Sequence, residues 1–364
     1  MNDDTRYMAL ALSLGRRGQG NTWPNPAVGC VIVKDGRIVG RGWTAPGGRP
    51  HAEPQALAQA GNLARGATAY VSLEPCAHHG KTPPCSEALI NAGVARVVSS
   101  ITDSDPRVSG RGFAMLRDAG IEVTTGVLAE EAARDLAGFF LRTEEGRPFL
   151  TLKLASSFDG RIATATGESK WITGPQARRW VHGLRASHDA VMVGAGTARA
   201  DDPSLTVRDL GIDRQPVRIV VSRRLDVPLM GNLAKTAREV PVWICHGPDP
   251  DPVLQRTWTD LGATLIPCDV ARGQIDPGAL LRALGDKGLT RVFCEGGGAL
   301  AASLLSHDMV DELIGFTAGL AIGAEGLPAI GAMGLERLAE APRFQLGETR
   351  ALGPDILHRW IRRG

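Results

Sequence analysis

Several things are scarce in this sequence, and each scarcity closes off a class of function. No window of its 364 residues holds an uninterrupted apolar run of membrane-spanning length, which a transmembrane helix needs. The opening Met1-Asn2-Asp3-Asp4 has no basic n-region and no long apolar stretch behind it, so a secretory leader is not expected and a cytoplasmic location is. Net charge is nearly absent: 41 Lys and Arg against 39 Asp and Glu leave +2, without the positive field that marks a nucleic-acid partner. Cysteines number six and are spread through the chain, which suits a reducing compartment. Cys30, Cys245, Cys268 and Cys294 sit in or beside apolar, strand-like runs and read as buried thiols. No internal repeat or low-complexity segment is present. What remains is the composition of a soluble globular protein, 43% hydrophobic and 22% charged with 45 glycines, at a length that fits two domains.

One stretch carries concentrated chemistry. His51-Ala52-Glu53 is followed by Leu73-Glu74-Pro75-Cys76 and then Cys85. An imidazole and two thiols suit Zn²⁺, and three protein ligands leave a fourth tetrahedral position open, as a catalytic zinc site requires. Zinc brings the pKa of a bound water toward neutrality, and the task left to a carboxylate is proton transfer, for which Glu53 is placed. His-x-Glu with Pro-Cys and a second Cys is the signature of zinc deaminases acting on nucleobases. The departure is the spacing: Ala77 to Pro84 separate the two cysteines where the general signature has two residues.

The full string Glu74-Pro75-Cys76-Ala77-His78-His79-Gly80-Lys81-Thr82-Pro83-Pro84-Cys85 resembles the bifunctional pyrimidine deaminase/reductase family of riboflavin biosynthesis. Two rival readings remain: a cytidine- or adenosine-type deaminase fused to an unrelated reductase, disfavoured by the long spacing, and a non-catalytic zinc module, disfavoured by Glu53. By analogy with zinc deaminases, Asn25 of the Asn25-Pro26 turn is expected to contact base or ribose. His78, His79 and Lys81, between the cysteines, are either phosphate grips or a solvated loop; Arg107, in the turn-rich run Asp103 to Gly112, is a further phosphate candidate.

Hydrophobic spacing sets the elements around these residues. Asp4 to Leu14 reads as a helix, Cys30 to Val33 as a strand turned at Asp35-Gly36, Ala52 to Ala60 as a helix opened by His51, Ala67 to Leu73 as a strand, Ser86 to Asn91 as a helix begun at Cys85, and Ala95 to Ile101 as a strand. Alternating strands and helices argue for a layered α/β domain. The polar run Thr143 to Pro148 marks a boundary, giving domains 1–146 and 147–364. Beyond it, strands are expected at Phe149–Leu154, Ala190–Gly194, Val217–Val221, Val240–Cys245 and Arg291–Cys294, with helices at Gln176–Arg185 and Leu300–Leu305. Glu295-Gly296-Gly297-Gly298 opens the last helix, where glycines and helix N–H groups suit a pyrophosphate. Arg223-Arg224, after a strand, are either contacts for a 2′-phosphate or solvated surface.

The second half resembles the reductase domain of the same family, which is related to dihydrofolate reductase. The strings that carry this are Leu152-Lys153-Leu154 with Ser157-x-Asp159-Gly160, Ser169-Lys170-Trp171-Ile172-Thr173, Ala200-Asp201-Asp202-Pro203 running to Arg208, and Glu295-Gly296-Gly297. The resemblance implies a cytidine-deaminase-like three-layer α/β/α zinc domain followed by a dihydrofolate-reductase-like α/β domain. It implies an NADPH site lined by Ala155, Trp171, Thr197, Asp201, Ser222, Gly297, Gly298, Ala299, Leu300, Ala301, Ala302 and Ser303. It implies that Ser169, Arg185, Leu205, Arg208 and Glu295 hold a pyrimidine ribotide, the arginines meeting its phosphate. Lys153, Asp201 and Glu295 are unranked candidates for proton handling in the reduction. A homo-oligomer, dimer or tetramer, is expected, with no nucleic-acid or membrane partner.

Overall fold

The computed structural model describes residues 2–80 and 83–362, and contacts divide the chain into two units, Met1–Gly146 and Arg147–Gly364. In the first, the run Gly29–Lys34 forms strand β1, apolar on both faces, so it needs cover on both sides. Cys30 and Ile32 enter one core cluster with Ala52, Ala56, Leu89 and Leu116, while Val31 and Val33 enter another with Tyr7, Met8, Ala11 and Leu12. Full burial of such aliphatic side chains contributes roughly 1.5–3 kcal/mol each.

The first unit runs α1 (Asp3–Arg16), β1, β2 (Arg37–Trp43), α2 (Ala52–Ala60), β3 (Thr68–Val71), α3 (Cys85–Ala92), β4 (Arg96–Ser99), α4 (Arg111–Asp118), β5 (Glu122–Thr124) and α5 (Ala129–Glu145). Its sheet has the order β2-β1-β3-β4-β5. The β1 strand is antiparallel to both neighbours, whereas β3, β4 and β5 are parallel. Helices on both faces make the three layers. The polar run at Thr143 belongs to the end of α5, which stops at Gly146 in the left-handed region (φ 71°), a common helix terminator.

The second unit continues β6 (Phe149–Ser157), β7 (Arg161–Ala163), α6 (Pro175–Ala186), β8 (Ala190–Gly194), α7 (Ala195–Asp201), β9 (Val217–Val221), α8 (Asn232–Lys235), β10 (Val242–His246), α9 (Pro252–Asp260), β11 (Thr264–Pro267), β12 (Val270–Ala271), β13 (Gln274–Ile275), α10 (Pro277–Asp286), β14 (Arg291–Cys294), α11 (Gly298–Ser306), β15 (Glu312–Ala318), β16 (Leu327–Pro328), β17 (Phe344–Leu352) and β18 (Asp355–Arg362). Nine strands form one sheet in the order β11-β10-β9-β8-β14-β6-β15-β18-β17. Strands β11 to β15 of that order are parallel; β18 and β17 close the edge as an antiparallel hairpin.

Strands β1, β3 and β4 differ from the sequence reading by one or two residues at their ends, and two further differences have plain physical reasons. The β6 strand runs on to Ser157 because β15 pairs with it from Thr151 to Ser157. Strand β10 begins after Pro241, a residue that has no N–H to give a ladder. Helices α4, α5, α9 and α10, strand β15 and the β17–β18 hairpin lie outside that reading. The thiols of Cys30, Cys245, Cys268 and Cys294 are buried. No described helix is long and apolar enough to cross a membrane.

Candidate functional site

In the first unit the sheet delivers three ligand-type residues to one place. His51 caps the start of α2 with extended backbone (φ −67°, ψ 172°), Cys85 is the first residue of α3, and Cys76 follows the exit from β3. The ligand atoms of His51, Cys76 and Cys85 lie within 4.8 Å of one another. His51 Nδ1 stands 3.7 Å from Cys76 Sγ and 3.4 Å from Cys85 Sγ. The backbone N–H of Cys85 donates to Cys76 Sγ at 3.3 Å. Hydrogen bonding from Cys85, then from His51, pulls the Cys76 thiol well below the ordinary thiol range, which favours its thiolate. Cys85, hydrogen-bonded to that thiolate and buried, is held above the ordinary thiol range. Two soft sulfurs and an imidazole converging at this range are the donor set that Zn²⁺ takes, and the residues present fit it.

Glu53 sits in the first turn of α2 and is 3% exposed. Burial raises its carboxyl pKa, and the Cys76 thiolate raises it further, against the pull of His51. It shares a cavity with His51 and Cys76, walled by Asn25, Arg49, His78, Asp103, Asp105 and Arg107 among others. Asn25 is oriented by an Nδ2 bond to Gly48 O at 3.2 Å. His78 Nδ1 is buried in this wall without a hydrogen-bond partner. Burial lifts the Asp103 carboxyl to about 6. Arg107 lines the cavity but its guanidinium is engaged by Asp105. His79 is 72% exposed beside Glu87 and does not line the cavity; Lys81 lies outside the described residues.

The second unit carries a larger cavity, about 980 Å³, at the carboxyl ends of its parallel strands, the usual place for ligands in such sheets. It brings together Lys153 and Ala155 of β6, Ser169 and Trp171 of the next loop, Arg185 of α6, Thr197 and Asp201 of α7, Leu205 and Arg208 of the segment after it, and Glu295 at the exit of β14. Arg185 and Glu295 form a two-bonded ion pair, and Arg185 Nη1 also donates to Thr206 O at 2.8 Å. Burial raises the Glu295 carboxyl, but Arg185, with Lys153 behind it, outweighs burial and holds it ionised, below its ordinary value. Burial depresses the Lys153 ammonium, with Glu295 opposing. Arg178, which stacks on Trp171 with its guanidinium 4.4 Å from the ring centre, and Arg179 and His182 also line the cavity. Sequence reasoning missed these, although positions 178, 182 and 185 share one face of α6 at helical spacing.

The glycine run is a close-approach turn. At Gly297 (φ 30°) an added Cβ would come 2.9 Å from Thr197 Oγ1, and at Gly298 one would come 2.7 Å from Pro328 O. That cradle at the start of α11, beside Thr197 on the cavity wall, fits a pyrophosphate. Leu300 packs its side chain beside Gly194 and Gly296, and Ala299 lies in the first turn of α11. Ala301 and Ala302 are buried in the unit's core, and Ser303 uses its carbonyl to hold His307. Ser222 is buried and donates to Asp226. It does not line the large cavity, nor do Arg223 and Arg224.

Comparison with known proteins adds names to this geometry. The family model for the cytidine and deoxycytidylate deaminase zinc-binding region matches residues 1–101, and that for the RibD C-terminal domain matches residues 148–358. The riboflavin biosynthesis protein RibD of Escherichia coli (strain K12) is 44% identical over 365 residues, covering 97% of this chain and 98% of that protein. The solved structure of Acinetobacter baumannii RibD, form 1, superposes with TM-score 0.88 at 39% identity, covering 99% of each chain. A diaminohydroxyphosphoribosylaminopyrimidine deaminase/5-amino-6-(5-phosphoribosylamino)uracil reductase from Thermotoga maritima superposes with TM-score 0.86 at 34% identity, over 99% of this chain and 98% of that one.

Proposed function

This chain belongs to the RibD family of bifunctional riboflavin biosynthesis enzymes, and from that premise we propose how its residues divide the deaminase and reductase reactions. The first unit removes an amino group from a diamino-ribosylamino-pyrimidinone 5′-phosphate by hydrolysis. The second reduces the ribosyl group of the resulting 5-amino-6-(5-phosphoribosylamino)uracil to ribityl with NADPH. The observation that carries the reading is the convergence of His51, Cys76 and Cys85 beside the buried Glu53.

His51, Cys76 and Cys85 hold Zn²⁺, which when bound lowers the pKa of a coordinated water toward neutrality. Glu53 moves the protons: one from the attacking water to the ring nitrogen, and then one from the newly added hydroxyl to the departing amine, so that the water oxygen replaces the amino group, which leaves as ammonia. A carboxylate with a raised pKa suits both halves of that shuttle. Asn25 orients the base or ribose, with His78 and Asp103 on the same wall.

In the second unit Gly297 and the start of α11 (Gly298, Ala299, Leu300), with Ala155, Trp171, Thr197 and Asp201, would hold NADPH, which when bound would supply hydride to the anomeric carbon once the sugar opens to an imine; Ser222, Ala301 and Ala302 are buried away from that cavity. The pyrimidine ribotide lies against Ser169, Leu205, Arg208, Arg185 and Glu295. Since Arg185 is already committed to Glu295 and Thr206, the phosphate falls mainly to Arg208, with Arg178 and Arg179 near. Lys153, Asp201 and Glu295 are the groups placed to handle the proton of the reduction.

The reading includes a homo-oligomer, dimer or tetramer, and a cytoplasmic location; sedimentation of the full chain decides the first. Mass spectrometry of the ribotide product tests the chemistry. The first step exchanges NH for O in the product, and the second adds two hydrogens only when NADPH is supplied. A ribotide unchanged by zinc-loaded protein would reopen the nucleoside-deaminase reading.

A further inference from the structure

Glu74 is 3% exposed, yet it carries a carboxylate two residues before a metal ligand. Its charge is met by backbone N–H groups of one distant segment. Oε2 accepts from Asp103 N at 3.2 Å and Gly110 N at 3.0 Å; Oε1 accepts from Gly112 N at 2.9 Å and Phe113 N at 3.3 Å. Gly112 and Phe113 are the second and third residues of α4, whose cap residue Gly110 offers no side-chain bond. Glu74 therefore supplies from another part of the chain what a capping side chain supplies locally. The contact is close: a Cβ on Gly112 would lie 2.0 Å from Pro75 O, so the start of α4 is pressed against the residue preceding Cys76. Between the anchored ends, Asp103, Asp105, Arg107 and Val108 form one wall of the cavity that holds His51, Glu53 and Cys76.

We propose that Glu74 is a positioning residue for deamination: its carboxylate fixes the Asp103–Val108 wall relative to the metal-ligand segment and so sets how the ribotide is held. The inference rests on the reading of this cavity as the deaminase site. A buried carboxylate with four N–H bonds costs much to disturb, and displacement of a substrate-facing wall by about 1 Å is enough to slow a reaction by roughly a hundredfold.

The test is E74Q in the full-length, zinc-loaded protein. The amide nitrogen cannot accept, so two of the four N–H groups lose their partner. The expected result is a fall of roughly ten- to hundredfold in kcat/KM for ammonia release, carried mainly by KM, with zinc content unchanged. NADPH consumption with supplied aminouracil ribotide is expected to be unchanged, and backbone hydrogen exchange faster over residues 103–113 and not elsewhere. G110A, which leaves the Glu74 carboxylate in place but strains a residue whose N–H donates to it (φ 76°), is expected to raise KM in the same direction and serves if E74Q fails to fold. Wild-type KM in either variant, unchanged exchange over 103–113, or zinc lost in step with activity would each overturn the proposal. Wild-type protein that releases no ammonia refutes the deaminase reading itself, while the exchange comparison still decides whether Glu74 holds the wall.

Discussion

Arg185 and Glu295, 110 residues apart, meet through two parallel bonds, Nε to Oε1 at 2.5 Å and Nη2 to Oε2 at 3.0 Å. Both side chains are close to 10% exposed, so each charge depends on the other for its solvation. Glu295→Gln leaves the guanidinium half-unpaired in a largely buried wall, a change that costs about 3–5 kcal/mol when a buried pair is broken. The expected outcome is a lower melting temperature together with reduced NADPH oxidation, read by calorimetry and absorbance. Arg208→Ala, by contrast, should raise the ribotide KM of the reductase without lowering the melting temperature.

Glu53→Gln keeps the shape of the cavity and removes the proton carrier. Zinc content should stay at the wild-type level, ammonia release should fall by a factor of at least about 10²–10⁴, and NADPH oxidation with supplied aminouracil ribotide should be unaffected. Persistent ammonia release would remove Glu53 from the shuttle.

Cys85→Ser exchanges a soft thiolate for a hard hydroxyl at a site built from sulfur and imidazole. Metal analysis should find zinc lost, and ammonia release should vanish with it. A strong chelator should give the same loss in the wild type, restored on adding zinc back. The reductase reaction should continue throughout, because its cavity is lined by residues from Lys153 onward.

The reductase should lose activity on the alkaline side earlier than an ordinary lysine would dictate. Burial lowers the Lys153 pKa from its usual 10.5, so its ammonium gives up the proton at a lower pH than free lysine. If that ammonium donates the proton of the reduction, the rate falls as pH rises through the depressed value, and Lys153→Met abolishes both rate and limb. A rate independent of pH up to 10.5 would remove Lys153 from that role.

His188 is buried between Leu184 O and Thr151 Oγ1, and burial takes its pKa from 6.5 down to about 3. The native state therefore resists a proton that the unfolded chain accepts. Stability from this group is full above 6.5 and is lost as pH falls from there toward 3. Denaturant unfolding at stepped pH should show the decline across that window, and His188→Gln should flatten it.

How much of this is legible in the sequence depends on how local the signal is. His51, Glu53, Cys76 and Cys85 stand out because metal-ligand residue types recur at short spacing, and the strand and helix starts that position them follow from hydrophobic period and turn residues. The glycine run after β14 is visible for the same reason. The large cavity is different: Lys153, Arg185, Asp201, Leu205 and Glu295 come from separate elements, and only the sheet order β8-β14-β6 brings them together. No spacing encodes that, so those residues enter through family resemblance alone. Glu74 is illegible for another reason. Its partners are backbone N–H groups, which every residue but proline carries and no side-chain pattern announces. The Arg185–Glu295 pair likewise could not be foreseen, and it changes which arginine is free to meet a phosphate.

The most direct measurement follows both reactions in one tube: ammonia release from the diaminopyrimidinone ribotide by zinc-loaded protein without NADPH, then NADPH consumption once cofactor is added. The account predicts ammonia first and NADPH loss second, each in proportion to the ribotide supplied. Zinc-loaded protein that yields no ammonia, or ammonia followed by no NADPH loss, would contradict it.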